Sequence, residues 1–331
     1  MGKPGIGKTR GLQQIATSDG IFAMCAMDHR GSMQTMIDKK NPKSVNYQKM
    51  VQYKQELCAA LAPHSSAVLL DPNFGAAQCV ASGDLPGHVG LLVSMEATGY
   101  GGGAEGRVTE MLQGWNAKKI RRMGGSAGKL LLYYRPDLED LAAKQLEVVR
   151  QTARDCAESD LAFLVEPKTY PVGDEIKNPE SLANRLPKLV IDTARQITSL
   201  DIDVLKAEFP ADMKYEKDKG KLLDICRQLS EASRAPWVVL SGGVDYETFA
   251  TMVEIACKGG ASGFLGGRGI WQEAMDMKDK KERLRYLSTT CADRMKHLSE
   301  IAAKHGAPWY KKVKTSSEKI AGVPENWYES Y

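Results

Sequence analysis

One lysine of this sequence stands inside an otherwise apolar run. Lys206 lies in VLKAEFP, and lysine is rarely buried without a partner or a function. If the run is a strand, alternation places Val204, Lys206 and Glu208 on one face. If that face lines a desolvated interior, burial and a nearby cation such as Lys129 would lower the pKa of Lys206, and its neutral amine could attack a ketone carbonyl. The alternative is a structural ion pair with Glu208 or another inward acid.

A carboxylate and a second lysine accompany two other apolar runs. Glu166 directly follows the residues FLV, so we expect poor solvation to raise the pKa of its carboxyl toward that of a general acid or base. A rim carboxylate in a salt bridge is the alternative interpretation of Glu166. Lys129 stands near the beginning of GKLLLYY, where a solvated lysine is the common case.

Two glycine-rich stretches have the composition of phosphate-binding loops. SGGV and GGRGIW follow the last two apolar runs, and their backbone N–H groups could converge on an anion. Arg268 adds a forked guanidinium that can bind two oxygens at once. Arg30, after the first run, is a candidate for a second anion. Glycine also serves tight turns and arginine is common in exposed turns, so each feature alone has a structural explanation.

These candidates lie at or near the ends of eight short, nearly continuous apolar runs. Runs of this kind are typical of parallel strands that are covered on both faces. They are GIFAMCAMD (20–28), SAVLLDP (66–72), VGLLVSME (89–96), GKLLLYY (128–134), LAFLVEP (161–167), DVLKAEFP (203–210), PWVVLSGG (236–243) and ASGFLGG (261–267). The spacing predicts helices between them, at residues 42–61, 106–123, 138–158, 179–198, 218–233 and 245–258, and a long helix after the eighth run, at residues 280–304.

Alternation of strand and helix eight times, without a linker, predicts an α/β chain with a (β/α)8 TIM barrel as its single domain, at residues 16–306. The carboxyl ends of its strands would bring the candidates together. A doubly wound open sheet is the alternative. A dinucleotide-binding sheet of that kind would have a glycine-rich turn after the first strand, and here the first strand ends in the charged sequence AMDHRG.

The two ends of the chain are predicted to lie outside the barrel. GKPGIGKT, from Gly2, matches the pattern of a phosphate-binding P-loop, but such a loop works between a buried strand and a helix. Only Met1 precedes Gly2, so we expect residues 1–15 to form a flexible segment instead. Residues 307–331 are aromatic and polar, which favours a surface wrap or a contact in a homo-oligomer.

Composition disfavours several classes of partner. The net charge of +4 is too small to indicate nucleic-acid binding, and no apolar run reaches about 18 residues, the length of a membrane span. Seven scattered cysteines and the lack of an apolar segment before Ile15 predict a reduced, cytoplasmic protein without a signal peptide. The histidines do not cluster, so we expect no metal and no cofactor, and a Schiff base in preference to metal-dependent aldol chemistry.

Taken together, these motifs resemble the class I tagatose 1,6-bisphosphate aldolases, a family that includes sulfofructosephosphate aldolases. The resemblance runs from about residue 20 to residue 271. It is carried by AMDHRG, EATGY with AEGRVTEML, GKLLLYY, LVEP, DVLKAEFP, LSGGV and LGGRGIW. It implies a (β/α)8 barrel in which Lys206 forms the Schiff base, Glu166 is the acid/base and Lys129 assists.

The resemblance also assigns substrate contacts. It implies phosphate contacts from Ser241, Gly242, Gly243, Gly266, Gly267 and Arg268, and further substrate contacts from Asp28, His29 and Arg30. The family usually has Asp-Gln-Arg where this chain has Asp28-His29-Arg30, and more often has alanine at Gly242 and Gly266. Histidine can donate a hydrogen bond but also titrates near neutral pH, so His29 bears on the identity of the substrate.

The expected reaction is reversible cleavage of a phosphorylated ketohexose to dihydroxyacetone phosphate and a three-carbon aldehyde. Tagatose 1,6-bisphosphate is the first candidate, with glyceraldehyde 3-phosphate as the second product. Sulfofructose 1-phosphate is the alternative, because arginine binds sulfonate and phosphate alike. A sugar-phosphate-binding regulator without catalytic activity is the alternative from another class, because a fold alone does not establish catalysis.

Overall fold

Eight parallel strands pair in chain order, and the eighth pairs with the first, so the sheet closes into a barrel. The computed structural model describes residues 5–313, 323, 325–329 and 331. The strands are β1 Phe22–Ala26, β2 Ala67–Leu70, β3 Gly90–Ser94, β4 Ala127–Tyr133, β5 Ala162–Lys168, β6 Val204–Ala207, β7 Trp237–Leu240 and β8 Gly263–Gly266. Each lies within or beside a predicted apolar run, and the predicted (β/α)8 barrel is confirmed.

Helices cover the outside of this barrel over the described residues. They are α1 Ile6–Ile15, α2 Gly31–Ile37, α3 Tyr47–Leu61, α4 Ala76–Ser82, α5 Ala117–Arg122, α6 Glu139–Glu158, α7 Pro179–Ile197, α8 Lys219–Ala232, α9 Tyr246–Lys258, α10 Arg268–Met275, α11 Lys280–Tyr286 and α12 Ala292–His305. A π-helical stretch, Leu287–Cys291, joins the last two. Asparagine or aspartate side chains cap several of them; Asn46, for example, accepts a hydrogen bond from the N–H of Lys49. No helix among the described residues has both the length and the apolarity needed to cross a bilayer.

The prediction of one long helix over 106–123 was wrong. Only Ala117–Arg122 is helical, and residues 96–111 form an antiparallel hairpin with bridges at Glu96–Met111 and Gly101–Val108. Glycine explains the difference. Gly102 and Gly103 adopt positive φ within the hairpin, and Gly114, inside the predicted span, has a φ of 73°, which a helix does not accommodate.

The prediction of a flexible segment over residues 1–15 was also wrong where the structure describes it. Residues 6–15 form α1, whose Leu12 and Ile15 are fully buried in the apolar cluster that fills the amino end of the barrel. The Asp160 carboxylate accepts hydrogen bonds from the N–H groups of Gly7 and Lys8. The helix N-terminus that a P-loop would offer to phosphate is therefore occupied by an acidic side chain of the protein. Residues 1–4 lie outside the described residues.

The beginning of the C-terminal tail closes the same end of the barrel. Trp309 is 5% exposed, belongs to the same apolar cluster as Leu12, and donates its backbone N–H to the oxygen of Gly20 at 3.0 Å. The Tyr331 hydroxyl donates to Asp160 beside α1. Trp309 therefore packs against the barrel, and Tyr331 contacts the residue that caps α1. Residues 314–322, 324 and 330, on which the prediction for the tail also falls, lie outside the described residues.

The barrel interior changes from apolar to charged along the strand direction. Inward side chains near the strand starts are apolar, among them Phe22, Leu92 and Val204, and they pack with α1. One step of two residues along β4, β5 and β6 brings the inward face to Lys129, Glu166 and Lys206. Each element thus positions one charged side chain directly above the apolar layer.

Candidate active site

Three charged side chains from neighbouring strands meet inside the barrel. Lys206 Nζ lies 2.9 Å from Glu166 Oε2, and Lys129 Nζ lies 3.0 Å from the same oxygen. The three residues are 4%, 8% and 0% exposed, respectively, in the order Lys206, Glu166, Lys129. Alternation along three short strands therefore brings two lysines and one carboxylate together in a space almost closed to solvent. Lys129 is therefore not the solvated lysine that is common at a strand start.

Lys129 is surrounded by carboxylates. Its ammonium lies 2.8 Å from Asp28 Oδ2 and 3.2 Å from Glu96 Oε1, in addition to the contact with Glu166. Burial alone would lower the pKa of Lys129, but Asp28, Glu166 and Glu96 outweigh burial and raise it well above its ordinary value. Lys129 therefore keeps its proton and presents a fixed positive charge to the interior.

The pKa of Glu166 moves in the direction opposite to the one predicted. Burial alone would raise it, as expected from the apolar neighbours, but the ammonium groups of Lys129 and Lys206 hold it below its ordinary value. The prediction was based on the apolar residues of the strand that carries Glu166. It did not include the two ammonium groups on the neighbouring strands, which lower the pKa. Glu166 is thus a carboxylate in the free protein and can accept a proton.

The structure decides which acid contacts Lys206. Glu208 does not, because its carboxylate pairs with Lys168 and accepts the N–H of Thr169 at 2.7 Å. Lys206 has Glu166 as its carboxylate partner among the described residues, and it shares the contacted oxygen with Lys129. The ammonium of Lys206 is therefore less fully compensated than that of Lys129, which has three carboxylates around it.

The residues that follow β1 complete this charged layer. Burial alone would raise the pKa of Asp28, but Lys129 and Lys206 hold it well below its ordinary range. Arg30 donates to the backbone oxygen of Glu96 at 2.9 Å and lies 3.4 Å from its carboxylate. Asp28 therefore faces the lysines directly, whereas Arg30 is bound to the protein beneath the rim.

His29 lies between the lysine layer and the glycine-rich loops. Its ring meets Trp271 edge to face at a centroid distance of 5.1 Å. Burial and neighbouring cations lower the pKa of His29 to about 3, against the opposing effect of Asp28. The expectation that this histidine titrates near neutral pH is therefore wrong. Its Nδ1 is buried and has no hydrogen-bond partner among the described residues, so the neutral ring has an open polar atom.

The two glycine-rich loops adjoin each other beside β7 and β8. Gly267 directly precedes α10, and its N–H points to the hydroxyl of Ser241 at 3.4 Å. Gly243 has a φ of 85°, and a Cβ there would lie 3.0 Å from the guanidinium of Arg268. Within the described residues, no hydrogen bond or ion pair joins that guanidinium to a carboxylate. The loops thus combine a free arginine, a hydroxyl and the start of a helix, which is a suitable set of donors for phosphate.

The remaining glycines of the predicted set have different surroundings. Gly242 adopts a φ of 60° and supplies the turn after β7. Gly266 lies against the core, because a Cβ there would come within 2.5 Å of the Phe249 ring. The structure therefore brings Gly242 to the loop at the barrel mouth, whereas the missing side chain of Gly266 is explained by packing.

Comparison with known proteins assigns the family. Residues 22–273 match the model of the DeoC/LacD family of aldolases. The chain belongs to this family. A tagatose 1,6-diphosphate aldolase of Lactococcus lactis subsp. lactis is 28% identical over 325 residues, which cover 92% of this chain and 98% of the relative. A tagatose 1,6-diphosphate aldolase of Staphylococcus aureus (strain Newman) is 27% identical over 91% of this chain and 97% of its own length.

Solved structures share the fold of this aldolase. An archaeal fructose 1,6-bisphosphate aldolase superposes with a TM-score of 0.60 at 18% identity, covering 90% of this chain and 99% of that one. The fructose-bisphosphate aldolase of Plasmodium falciparum superposes with a TM-score of 0.71 at 15% identity, covering 93% and 99%. At these identities the similarity shows the barrel alone. Membership of the aldolase family makes the protein a lyase that acts on carbon–carbon bonds.

Sequence reasoning missed one buried lysine of the aldolase. Lys54 on α3 is fully buried, lies 2.8 Å from Asp71, and donates to the backbone oxygens of Met27 and His29. It therefore fixes the backbone on both sides of Asp28. A signal for it is present in the sequence, because Lys54 occupies the apolar stripe of its helix, between Met50 and Leu57, at the spacing of core residues.

Proposed function

We propose that the protein is a class I aldolase in which Lys206 forms a Schiff base with the C2 ketone of a phosphorylated ketohexose. The observation that carries this proposal is the carboxylate oxygen of Glu166 shared by two buried lysines, at 2.9 Å and 3.0 Å. Lys129 lies among three carboxylates, and it keeps its proton and its positive charge. The other has a carboxylate at hydrogen-bond distance that can take its proton, which is the requirement for a nucleophilic amine.

The first steps follow from this geometry. Glu166 accepts a proton from the Lys206 ammonium, and the free amine attacks the ketone carbon. Lys129, held protonated by its acids, donates a hydrogen bond to the carbonyl oxygen as negative charge develops there. A proton moves from the attacking nitrogen to that oxygen, which gives the neutral carbinolamine. The carbinolamine loses water when Glu166 returns its proton to the departing hydroxyl. The product is an iminium, and Glu166 is again a carboxylate.

Cleavage uses the same residues. Glu166 removes the proton from the C4 hydroxyl, the C3–C4 bond breaks, and its electron pair moves through the C2 iminium to nitrogen. The three-carbon aldehyde leaves, and an enamine of dihydroxyacetone phosphate stays on Lys206. Protonation at C3 and hydrolysis of the resulting iminium release dihydroxyacetone phosphate and restore the amine. Each proton that Glu166 takes is returned within the cycle.

The C1 phosphate is assigned to the loops after β7 and β8. Ser241, the N–H groups of Gly243 and Gly267, and Arg268 supply donors there, and β7 is the strand next to Lys206 in the closed barrel. A phosphate at this edge would place C2 of the ketose near the amine. Asp28 and neutral His29 lie in the same layer and are available for the sugar hydroxyls.

Tagatose 1,6-bisphosphate is the first candidate substrate, because relatives over nearly the whole chain are named for it. Sulfofructose 1-phosphate is the second, because an arginine binds a sulfonate as well as a phosphate. The reading as a sugar-phosphate regulator does not account for the charged layer, since a binding protein needs the arginines and glycines but not two buried lysines on one carboxylate.

A substrate panel tests this proposal. Purified protein is given tagatose 1,6-bisphosphate, fructose 1,6-bisphosphate and sulfofructose 1-phosphate, and release of dihydroxyacetone phosphate is measured. We expect release from at least one ketose, unchanged by EDTA. Lys206→Met should abolish release, and Lys188→Met, at an exposed site on α7, should retain it. Binding without release by the native protein would establish the regulator reading instead.

A further inference from the structure

Four arginines lie in the connections that follow strands at the mouth of the barrel, and they differ in what their guanidinium groups contact. They are Arg30, Arg107, Arg135 and Arg268. Arg30 is bound to Glu96, as described above. Arg135 is fully engaged, since it makes two hydrogen bonds to Asp137, at 2.9 Å and 2.8 Å, and further ones to Glu175. Among the described residues, both terminal nitrogens of Arg30 and of Arg135 therefore already have acceptors within the protein.

Arg107 and Arg268 are different. Arg107 donates from Nε to the backbone oxygen of Ala104 at 3.1 Å. Over the described part of the chain, neither Arg107 nor Arg268 forms an ion pair with a carboxylate. Arginine binds anions through its paired terminal nitrogens. Arg107 and Arg268 are therefore the arginines at the mouth of the barrel that can bind an anionic group of a ligand.

Arg107 is held in place by the hairpin that follows β3. The backbones of Gly101 and Val108 exchange hydrogen bonds at 2.9 Å and 3.0 Å across the hairpin. Two hydrogen bonds fasten it to the end of β4 and to the connection after β5. Glu105 accepts the N–H of Gly173 at 2.9 Å, and Thr109 accepts the N–H of Tyr133 at 3.1 Å. The guanidinium is therefore positioned before any ligand arrives, which reduces the entropy lost on binding.

Three tyrosine rings surround this guanidinium. Its Cζ lies 4.6 Å from the centroid of Tyr100, 5.4 Å from that of Tyr133 and 5.1 Å from that of Tyr170. The rings hold the guanidinium in place by cation–π contact. Tyr133 also links this group to the charged layer. It lies four residues beyond Lys129 on the inward face of β4, and Arg107 and Lys129 both counteract the rise that burial causes in the pKa of Tyr133.

The two free arginines lie on opposite sides of the barrel. Arg107 belongs to the connection between β3 and β4, and Arg268 follows β8, which adjoins β7; in the closed ring the junction of β3 and β4 lies opposite that of β7 and β8. We propose that Arg107, within its tyrosine cage, binds the second anionic group of the substrate, at the end of the sugar away from C1. This inference rests on the proposed function, and it replaces Arg30 as the residue expected to bind the distal anion.

Equilibrium binding of two unreactive probes tests the inference separately from catalysis. Hexitol 1,6-bisphosphate and hexitol 1-phosphate have no ketone and form no Schiff base, so calorimetry reports the anion sites alone. Arg107→Met should weaken binding of the bisphosphate by about 10- to 100-fold, the range for one charge-assisted hydrogen bond, and should leave the monophosphate within about twofold. Arg107→Lys should give an intermediate loss, because it keeps the charge but not the fork.

Control variants make each outcome decisive. Arg268→Met should weaken both probes, whereas Lys214→Met, an exposed cation in the loop after β6, should weaken neither. Equal loss of both probes in Arg107→Met would mean that this residue only supports the loop, and no loss would exclude it from the site. A selective loss of the bisphosphate in Arg30→Met or Lys214→Met would move the distal site there and overturn the proposal. If Arg107 selects the bisphosphate but no ketose is cleaved, the site stands and the aldolase mechanism fails.

Discussion

Two lysine–carboxylate pairs lie at opposite ends of β6, and they are built differently. Just before the strand, the Asp203 carboxylate accepts hydrogen bonds from the Lys8 ammonium and from the Phe163 N–H, both at 2.8 Å. Within the strand, Lys206 reaches an oxygen of Glu166 that Lys129 also contacts. The first pair is satisfied by one lysine and one backbone donor. The second places two cations on one oxygen.

The pKa shifts show what this difference does. Burial raises the pKa of Asp203 in spite of Lys8, so a single lysine does not compensate for the loss of water. Two lysines do, and the pKa of Glu166 falls. The amino end of the barrel therefore fastens a helix to the fold, whereas the carboxyl end concentrates charge that can be redistributed during a reaction.

Removing Lys206 is expected to have the largest effect on activity. Lys206→Met deletes the proposed nucleophile, so turnover should fall by about 10⁴-fold or more. Its stability should change by less than about 1 kcal/mol, because Glu166 keeps Lys129 as a partner and a crowded cation is removed. Steady-state kinetics and urea denaturation check the two halves. A variant that retains measurable Schiff-base turnover would remove Lys206 from the mechanism.

Replacing Glu166 tests the acid/base role at the same end of the barrel. Glu166→Gln keeps the shape but removes the proton acceptor, so kcat should fall by about 10²- to 10⁴-fold. Lys206 should remain reactive toward dihydroxyacetone phosphate, although more slowly. A kcat close to that of the native enzyme would show that another group, such as Asp28, moves the protons.

Replacing Lys8, at the amino end of β6, should lower stability and leave activity almost unchanged. Lys8→Met leaves the buried Asp203 carboxylate without its cation, so the free energy of unfolding should fall by as much as about 3–5 kcal/mol. The loss is smaller if Asp203 takes up a proton in the variant. At a temperature where the variant is folded, its kcat should stay within about twofold of the native value, because α1 lies away from the charged layer. A large loss of kcat in folded Lys8→Met would show that the two ends of β6 are coupled.

Parts of this comparison can be predicted from the sequence. Lys206 is identifiable because a charge interrupts an apolar strand, and Glu166 because it ends one. The sequence does not predict that Lys129 is buried or that the pKa of Glu166 is lowered. Each depends on charges that neighbouring strands bring within about 3 Å. Docking of α1 was missed because its glycine- and lysine-rich start obscured the apolar pair Leu12 and Ile15.

His29→Gln should leave turnover near neutral pH almost unchanged and should act on the pH dependence of stability. Its folded pKa of about 3 lies below the ordinary value of 6.5, so on acidification the unfolded chain takes up a proton that the folded ring does not. Stability should therefore fall as pH drops from 6.5 toward 3, and His29→Gln should remove up to about 1.4 kcal/mol per pH unit of that slope. Denaturation between pH 7 and 4 measures this slope. Identical slopes for the native protein and His29→Gln would mean that His29 has the same pKa in the folded and the unfolded chain.

The pH dependence of activity gives an independent check on His29. The His29 ring is neutral above about pH 3, so it should not titrate between pH 5.5 and 8. The native protein and His29→Gln should therefore show the same ionisations in the pH profile of kcat/KM over this range. An ionisation near 6.5 that is lost in this variant would show that His29 titrates in the active protein.

Covalent trapping tests the central claim most directly. The protein is incubated with dihydroxyacetone phosphate and sodium borohydride, digested, and examined by mass spectrometry. The reduced adduct should appear on the peptide that contains Lys206, should be absent in Lys206→Met, and should persist in Lys8→Met. An adduct on Lys129 or another lysine, or none on the native protein, would contradict the assignment of Lys206 as the Schiff-base residue.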